Sequence, residues 1–213
     1  MREETIIAKI RDLNTRADIH GILVQLPLPH GYDEDRVVAA IDPAKDVDGF
    51  HPENLARIKE KKPIVIPGVA MGIVRLIEET KITLAGSRAL LAVNSEIFAL
   101  PLRYLLEERG ARVETIVAPR SAEDIKASAR TADVIVLAVG QPQFLRGEMV
   151  KGGAVVIDVG TNRMDGKLVG DADFESFLDR DVWITPVPGG VGPMTVAMLL
   201  RNVVEASSRR GST

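Results

Sequence analysis

Three stretches of this 213-residue chain hold polar or flexible residues where packing alone would favour something else. The first is VQLPLP (24–29), in which Gln25 interrupts an apolar run. A glutamine in a buried strand needs partners for both ends of its amide. It is either a core amide bonded to neighbouring backbone or a ligand contact. The second is KDVDGFHP (45–52). Asp46 and Asp48 are offset by two, so in an extended segment they face the same way. One carboxylate there can accept two hydrogen bonds from an amino-amide edge, such as that of a pterin or guanine ring. The alternative is an Asx-turn with a surface ion pair. A metal is disfavoured, because no His or third acid sits at ligand spacing. The third is TPVPGGVGPMT (185–195), where Gly189 and Gly190 stand between prolines ahead of a helix. Such a loop lets backbone approach a ligand, or serves only as a rigid helix entry. It lacks the Lys-Ser/Thr ending of a P-loop.

Composition narrows the chemistry further. Lys and Arg number 27 against 30 Asp and Glu, for a net charge of −3. No basic excess exists to bind a phosphate backbone, so no nucleic-acid partner is expected. Cysteine is absent, which removes disulfides and thiolate catalysis together, and the three histidines are scattered at 20, 30 and 51. No apolar run reaches the roughly twenty residues of a membrane span. MREETIIAKI is charged and amphipathic rather than a signal peptide, so a cytoplasmic protein with no membrane partner is expected.

These stretches need a scaffold, and the pattern supplies one. Ile6, Ile7, Ile10 and Leu13 fall at helical spacing. GILVQL (21–26) is short and continuously apolar, which predicts a buried parallel strand. A second helix follows near 33–41, then a loop carrying DPAKDVDGFHPEN and a solvated cluster of Lys59, Lys61 and Lys62. Beyond Met71, strands and helices alternate. Ile73, Val74 and Ile77 mark a helix, ALLAV (89–93) a buried strand, and Ile97, Phe98, Leu102, Leu105 and Leu106 a helix stripe ended by Gly110. RVETIV (112–117), a helix at 122–129, VIVLAV (134–139) and AVVIDV (154–159) come next. Asp165-Gly166 signals a tight turn. A last strand at 183–185 precedes a helix at 194–206. The fold class is α/β, with right-handed crossovers and a parallel sheet.

In this order, GILVQLPLP, DPAKDVDGFHPEN, GAVVIDVGTNR, DGKLVGDADF and TPVPGGVGPMT resemble the signature segments of the bifunctional methylenetetrahydrofolate dehydrogenase/methenyltetrahydrofolate cyclohydrolase family. The resemblance runs over essentially all of the chain. It implies an N-terminal folate-side lobe over 1–65, a Rossmann-like NAD(P) domain over 66–185, and a loop and helix over 186–213 packing on the first lobe. It implies further that Gln25 neighbours a catalytic lysine, that Pro27 lines the folate cleft, and that Asp48 holds the pterin edge. Gly189 and Gly190 would line the same folate site. Tetrahydrofolate derivatives are the implied substrates, and a homodimer is the implied assembly. The family moves a hydride from the one-carbon unit to NAD(P), then adds water to the methenyl cation.

The departures carry as much information. The family lysine lies in a Tyr-x-x-x-Lys pair, on a strand–helix region that the resemblance places before this chain. Here Tyr32 is followed at the fourth position by Arg36, and Tyr104 by Glu108. PGVAMG (67–72) has Val69 in place of the usual Thr. The cofactor loop, Gly-Arg-Ser-x-x-Val-Gly-x-Pro in the family, reads VNSEIFALP (93–101). Val93 and Asn94 stand for the Gly and Arg, Ser95 and Pro101 are kept, and Ala99 replaces the second Gly. Arg120 replaces the serine of a His-Ser pair and is the residue left to meet a phosphate, which favours NADP over NAD. Thr161, in the GTNR segment, completes the implied cofactor contacts. Folate-side residues are thus kept and cofactor-side residues eroded. The expectation is a family enzyme impaired as this chain, binding NADP weakly if at all. A non-catalytic folate-binding homologue or partner subunit is the alternative.

Overall fold

The computed structural model describes residues 2–210. Two compact units form, one of residues 1–68 with 197–213 and one of residues 69–196.

In the first unit, α1 (Glu3–Thr15) buries Ile7 and Ile10 against Ile22, against Val37 of α2 (Glu34–Val38), and against Ile41. Asn14 ties α1 to the residues after α2. Its Nδ2 donates to the Ala40 carbonyl at 2.8 Å, and its Oδ1 accepts from the Asp42 N–H at 2.9 Å. The predicted helix at 33–41 is therefore shorter, with Asp33 as its N-cap. GILVQL is not a buried strand. Only Ile22 bridges, parallel to Asp46, while Leu23 is 40% exposed and Gln25 and Leu26 are also exposed. An apolar run becomes a strand only where a neighbour offers its backbone, and among the described residues the ladder stops after one bridge. A further helix, α3 (Pro52–Lys59), stands where only loop was expected. Pro52 sits in its first turn, and the His51 ring accepts from the Glu53 N–H at 3.1 Å.

The second unit follows the predicted alternation closely. After α4 (Gly68–Glu79) come β1 (Arg88–Val93), α5 (Glu96–Glu107), β2 (Arg112–Val117), α6 (Glu123–Ala129), β3 (Val134–Ala138) and β4 (Val155–Asp158). A hairpin of β5 (Asn162–Met164) and β6 (Lys167–Val169) turns on Asp165 and Gly166, both at positive φ. With β7 (Trp183–Ile184) the sheet has the order β2-β1-β3-β4-β7, and every pairing is parallel. The side chains of β3 and β4 are almost wholly buried, as helices on both faces require. Ile97, placed on the α5 core stripe from its spacing, is instead half exposed in the first turn. The final helix, α7 (Val191–Arg210), is longer than its apolar pattern suggested, and from Ala197 onward it belongs to the first unit. Residues 211–213 of the expected frayed tail lie outside the described residues. No helix of the described residues is long and apolar enough to cross a membrane.

Candidate functional site

Asp48 sits on a loop held from several directions. The buried Asp46 carboxylate accepts from the Gly49 N–H (2.9 Å), the His51 N–H (2.9 Å) and Asn54 Nδ2 (2.9 Å). Asn202 of α7, also buried, donates through Nδ2 to the carbonyls of Val47 (2.9 Å) and Ile66 (3.0 Å). Gly49 has φ +86°, and a Cβ there would come within 2.7 Å of the Pro67 nitrogen. Lys45, with 0% exposure, donates from Nζ to the carbonyls of Leu13, Asn14 and Arg16 at 2.7–2.8 Å. It supplies the positive charge that the last turn of α1 lacks.

Asp48 itself is half-buried and accepts no hydrogen bond among the described residues. Burial, and secondly the Asp46 carboxylate, push its carboxyl up to about 6. A fixed loop thus presents an unpartnered acceptor whose charge is penalised until a donor arrives. Of the two readings for this segment, the Asx-type turn belongs to Asp46 and leaves the Asp48 carboxylate out of it.

Gln25 is exposed, and its Nε2 donates only to the adjacent Leu26 carbonyl at 3.0 Å, so it is not a core amide. Pro27 is exposed beside it. The Ile22–Asp46 bridge, with the Ile22 N–H on the Lys45 carbonyl at 2.7 Å, sets the two segments side by side in the same direction. Gln25 and Asp48 therefore leave from the same end of that bridge.

In the second unit the predicted cofactor residues gather at the carboxyl ends of the strands. Val93 ends β1 with its side chain wholly buried, and Asn94 and Ser95 follow it. Asn94 Nδ2 donates to the Val139 carbonyl at 2.7 Å. Ser95 caps α5, its Oγ accepting from the Ile97 N–H at 3.1 Å. Arg120 lies just beyond β2 and Thr161 just beyond β4, both exposed. Gly189, at φ +107°, is exposed. Gly190 is packed so closely that a Cβ would come within 2.6 Å of the Pro186 carbonyl oxygen. Both line a cavity of about 240 Å³ with Trp183 and Thr80. Another cavity, of about 330 Å³, opens at the amino ends of β1 and β2, where no predicted site residue lies.

Sequence reasoning missed the device that organises this edge. Asp171 accepts through Oδ2 from the N–H groups of Val139 (2.6 Å) and Gly140 (3.0 Å). Its Oδ1 accepts from the Gln141 N–H (2.9 Å) and from Asn162 Nδ2 (2.8 Å). Asp158 accepts from the N–H groups of Gly160, Asp171 and Ala172 at 2.8–2.9 Å. Burial raises the Asp158 carboxyl above its ordinary range against those three bonds. Each aspartate occupies the space beside a glycine, since a Cβ on Gly160 would overlap Asp171 and one on Gly170 would overlap Asp158. The available signal was an acidic residue ending the otherwise apolar strand VVID.

Comparison with known proteins places this geometry. Residues 67–211 match the model of the tetrahydrofolate dehydrogenase/cyclohydrolase NAD(P)-binding domain, and residues 1–48 that of the corresponding catalytic domain. The chain is 48% identical over 209 residues to the bifunctional protein FolD of Dechloromonas aromatica, covering 98% of this chain and 73% of that protein. It is 46% identical to FolD 2 of Geobacter sulfurreducens, covering 99% and 73%. Among solved structures it is similar to the Campylobacter jejuni FolD methylenetetrahydrofolate dehydrogenase/cyclohydrolase, with TM-score 0.91, 40% identity, and 99% and 74% of the two chains covered. The Trypanosoma brucei enzyme, solved with NADP and an inhibitor, gives TM-score 0.90 at 36% identity, covering 98% and 73%. With matches of this extent over both units, the chain belongs to the tetrahydrofolate dehydrogenase/cyclohydrolase family.

Proposed function

We propose that the chain binds tetrahydrofolate one-carbon derivatives and serves the dehydrogenase and cyclohydrolase steps of its family, with the dehydrogenase side weakened. The observation that carries the folate reading is the unpartnered Asp48 carboxylate on its pinned loop. Ionised, it accepts two hydrogen bonds from the amino-amide edge of a pterin, and the ligand's donors offset the burial penalty. Gln25 offers a free amide oxygen near the one-carbon chemistry, and Pro27 gives an exposed apolar surface for a ring.

The carboxyl ends of the strands suit the nucleoside side of a dinucleotide better than its pyrophosphate. Arg120 beyond β2 stands where a 2′-phosphate is read, which favours NADP, and Thr161 lies beyond β4. Asn94 carries a side chain where close backbone approach is needed, whereas the Val93 side chain is buried in the sheet. A bound dinucleotide supplies the hydride acceptor. The chain's own residues hold the folate and orient it, with Asp48 ionised against the pterin edge.

Homodimerisation is part of this reading. The support is β2, a sheet-edge strand whose exposed Val117 and half-buried Val113 are available to a second copy. A monomer in sedimentation at micromolar concentration would reject that part.

Tetrahydrofolate titration of wild type and Asp48→Ala tests the folate assignment. Loss of a charge-assisted contact of about 1.5–3 kcal/mol weakens binding by about one to two decades. Equal affinities would remove Asp48 from the site. A family enzyme is distinguished from the non-catalytic alternative by whether methenyltetrahydrofolate hydrolysis accompanies binding.

A further inference from the structure

The sheet order reverses between β1 and β3, because the chain leaves β1 for β2 on one side and returns to β3 on the other. In open α/β sheets the crevice outside the carboxyl ends at such a point is where ligands sit. Here that crevice is bridged. Asn94 Nδ2 reaches the Val139 carbonyl at 2.7 Å, and a Cβ on Gly140 would lie 3.3 Å from the same nitrogen. The next residues treat the α5 N-terminus as already complete. Ser95 Oγ occupies the Ile97 N–H, and Glu96 places a carboxylate in the first turn, ion-paired to Arg103 at 3.3 Å. A carboxylate there interacts with the helix dipole as a phosphate would, so the two compete for one electrostatic position.

We propose that Asn94 and Glu96 set the nucleotide affinity of the second unit, Asn94 as a latch across the β1–β3 crevice and Glu96 as a charge that excludes a pyrophosphate. The proposal rests on the reading of this sheet edge as a dinucleotide site and names the residues that hold it in a low-affinity form. The latch must open before a pyrophosphate settles over the turn, and the Glu96 carboxylate must be screened or displaced. Ligands without phosphate do not meet the second barrier.

The test titrates the full chain with NADP and, separately, with adenosine, comparing wild type, Asn94→Gly, Glu96→Gln, Glu96→Lys and the Asn94→Gly/Glu96→Gln double variant. The double variant is expected to bind NADP about tenfold more tightly, from one hydrogen bond and one charge removed. Glu96→Lys alone should also tighten NADP, and its gain should shrink as salt is raised toward 1 M. Adenosine affinity should not respond to either Glu96 change, which separates charge exclusion from a general loosening of the helix end. Melting temperatures without ligand identify any variant whose fold is disturbed, and Glu96→Lys stands independently of Asn94→Gly. If wild type and variants bind NADP equally, the proposal is wrong while the dinucleotide reading survives. If none binds NADP up to millimolar concentration while tetrahydrofolate still binds, the dinucleotide reading fails and the proposal with it.

Discussion

Replacing Asp48 by Asn should make the protein more stable at neutral pH and worse at holding folate. The carboxyl titrates at about 6 in the folded chain against an ordinary 3.8, through burial first and the Asp46 charge second. A raised acid pKa means the folded state binds the proton more tightly than the unfolded chain does. Its contribution to stability is therefore fully present below 3.8, falls away between 3.8 and about 6, and is gone above that. Each pH unit of that interval is about 1.36 kcal/mol, so the loss is about 3 kcal/mol as an upper bound. Partial exposure and screening reduce it to about 1–2 kcal/mol. Asn fills nearly the same volume, carries no titrating proton, and leaves no hydrogen bond behind, because Asp48 accepts none among the described residues. The assay is urea unfolding of both proteins across about pH 4 to 8. The variant's advantage should grow by about 1–2 kcal/mol between pH 4 and 6 and then stay level. Asp158, whose carboxyl is also raised, is common to both proteins and cancels in the difference. An advantage that does not change with pH, or a wild type that gains on the variant as pH rises, would refute the reasoning.

Three other outcomes are expected. On the proposed role of ionised Asp48, tetrahydrofolate affinity of the wild type should weaken as pH falls through about 6, approaching tenfold per pH unit, and equilibrium titration at several pH values checks it. Asp46→Ala leaves the Gly49 and His51 N–H groups without their acceptor and takes one of two acceptors from Asn54 Nδ2. It should lose about 3 kcal/mol or more in chemical denaturation and bind folate less tightly. Gly170→Ala forces a methyl onto the Asp158 carboxylate, and a loss of about 1–3 kcal/mol should appear as a lowered melting temperature.

The second unit was readable because its signals are local. A parallel strand covered on both faces must be apolar throughout, and Leu90, Val136 and Val156 stand in such runs. The same signal misled at residues 21–26, since an apolar run does not reveal whether a neighbouring strand exists. Lys45 was invisible for a different reason. A lysine reads as surface until the end of α1 offers it three carbonyls. Asp48 and Gln25 stood out because each breaks an expectation in its own segment. Asn202 and Asp171 did not, because their work is to join segments distant in the chain, and no periodicity records which N–H meets which carboxylate. The loop at 93–101 was legible as a set of departures, whereas the latch made by Asn94 needed coordinates.

The two aspartates and two glycines at the carboxyl edge of the sheet have a consequence for how this region can vary. Gly160 leaves the room that Asp171 fills, and Gly170 leaves the room that Asp158 fills, while Asp158 binds the Asp171 N–H. A larger residue at either glycine displaces a carboxylate, and a smaller residue at either aspartate strips acceptors from buried N–H groups. Single steps away from the present residues are therefore all unfavourable. In a library of pairwise variants these four positions should show strong epistasis, with a glycine substitution tolerated only beside a shortened aspartate across from it. Asn94 and Arg120, the residues proposed to meet a nucleotide, lie outside the quartet and can drift independently. The region can thus alter what it binds while its frame stays locked.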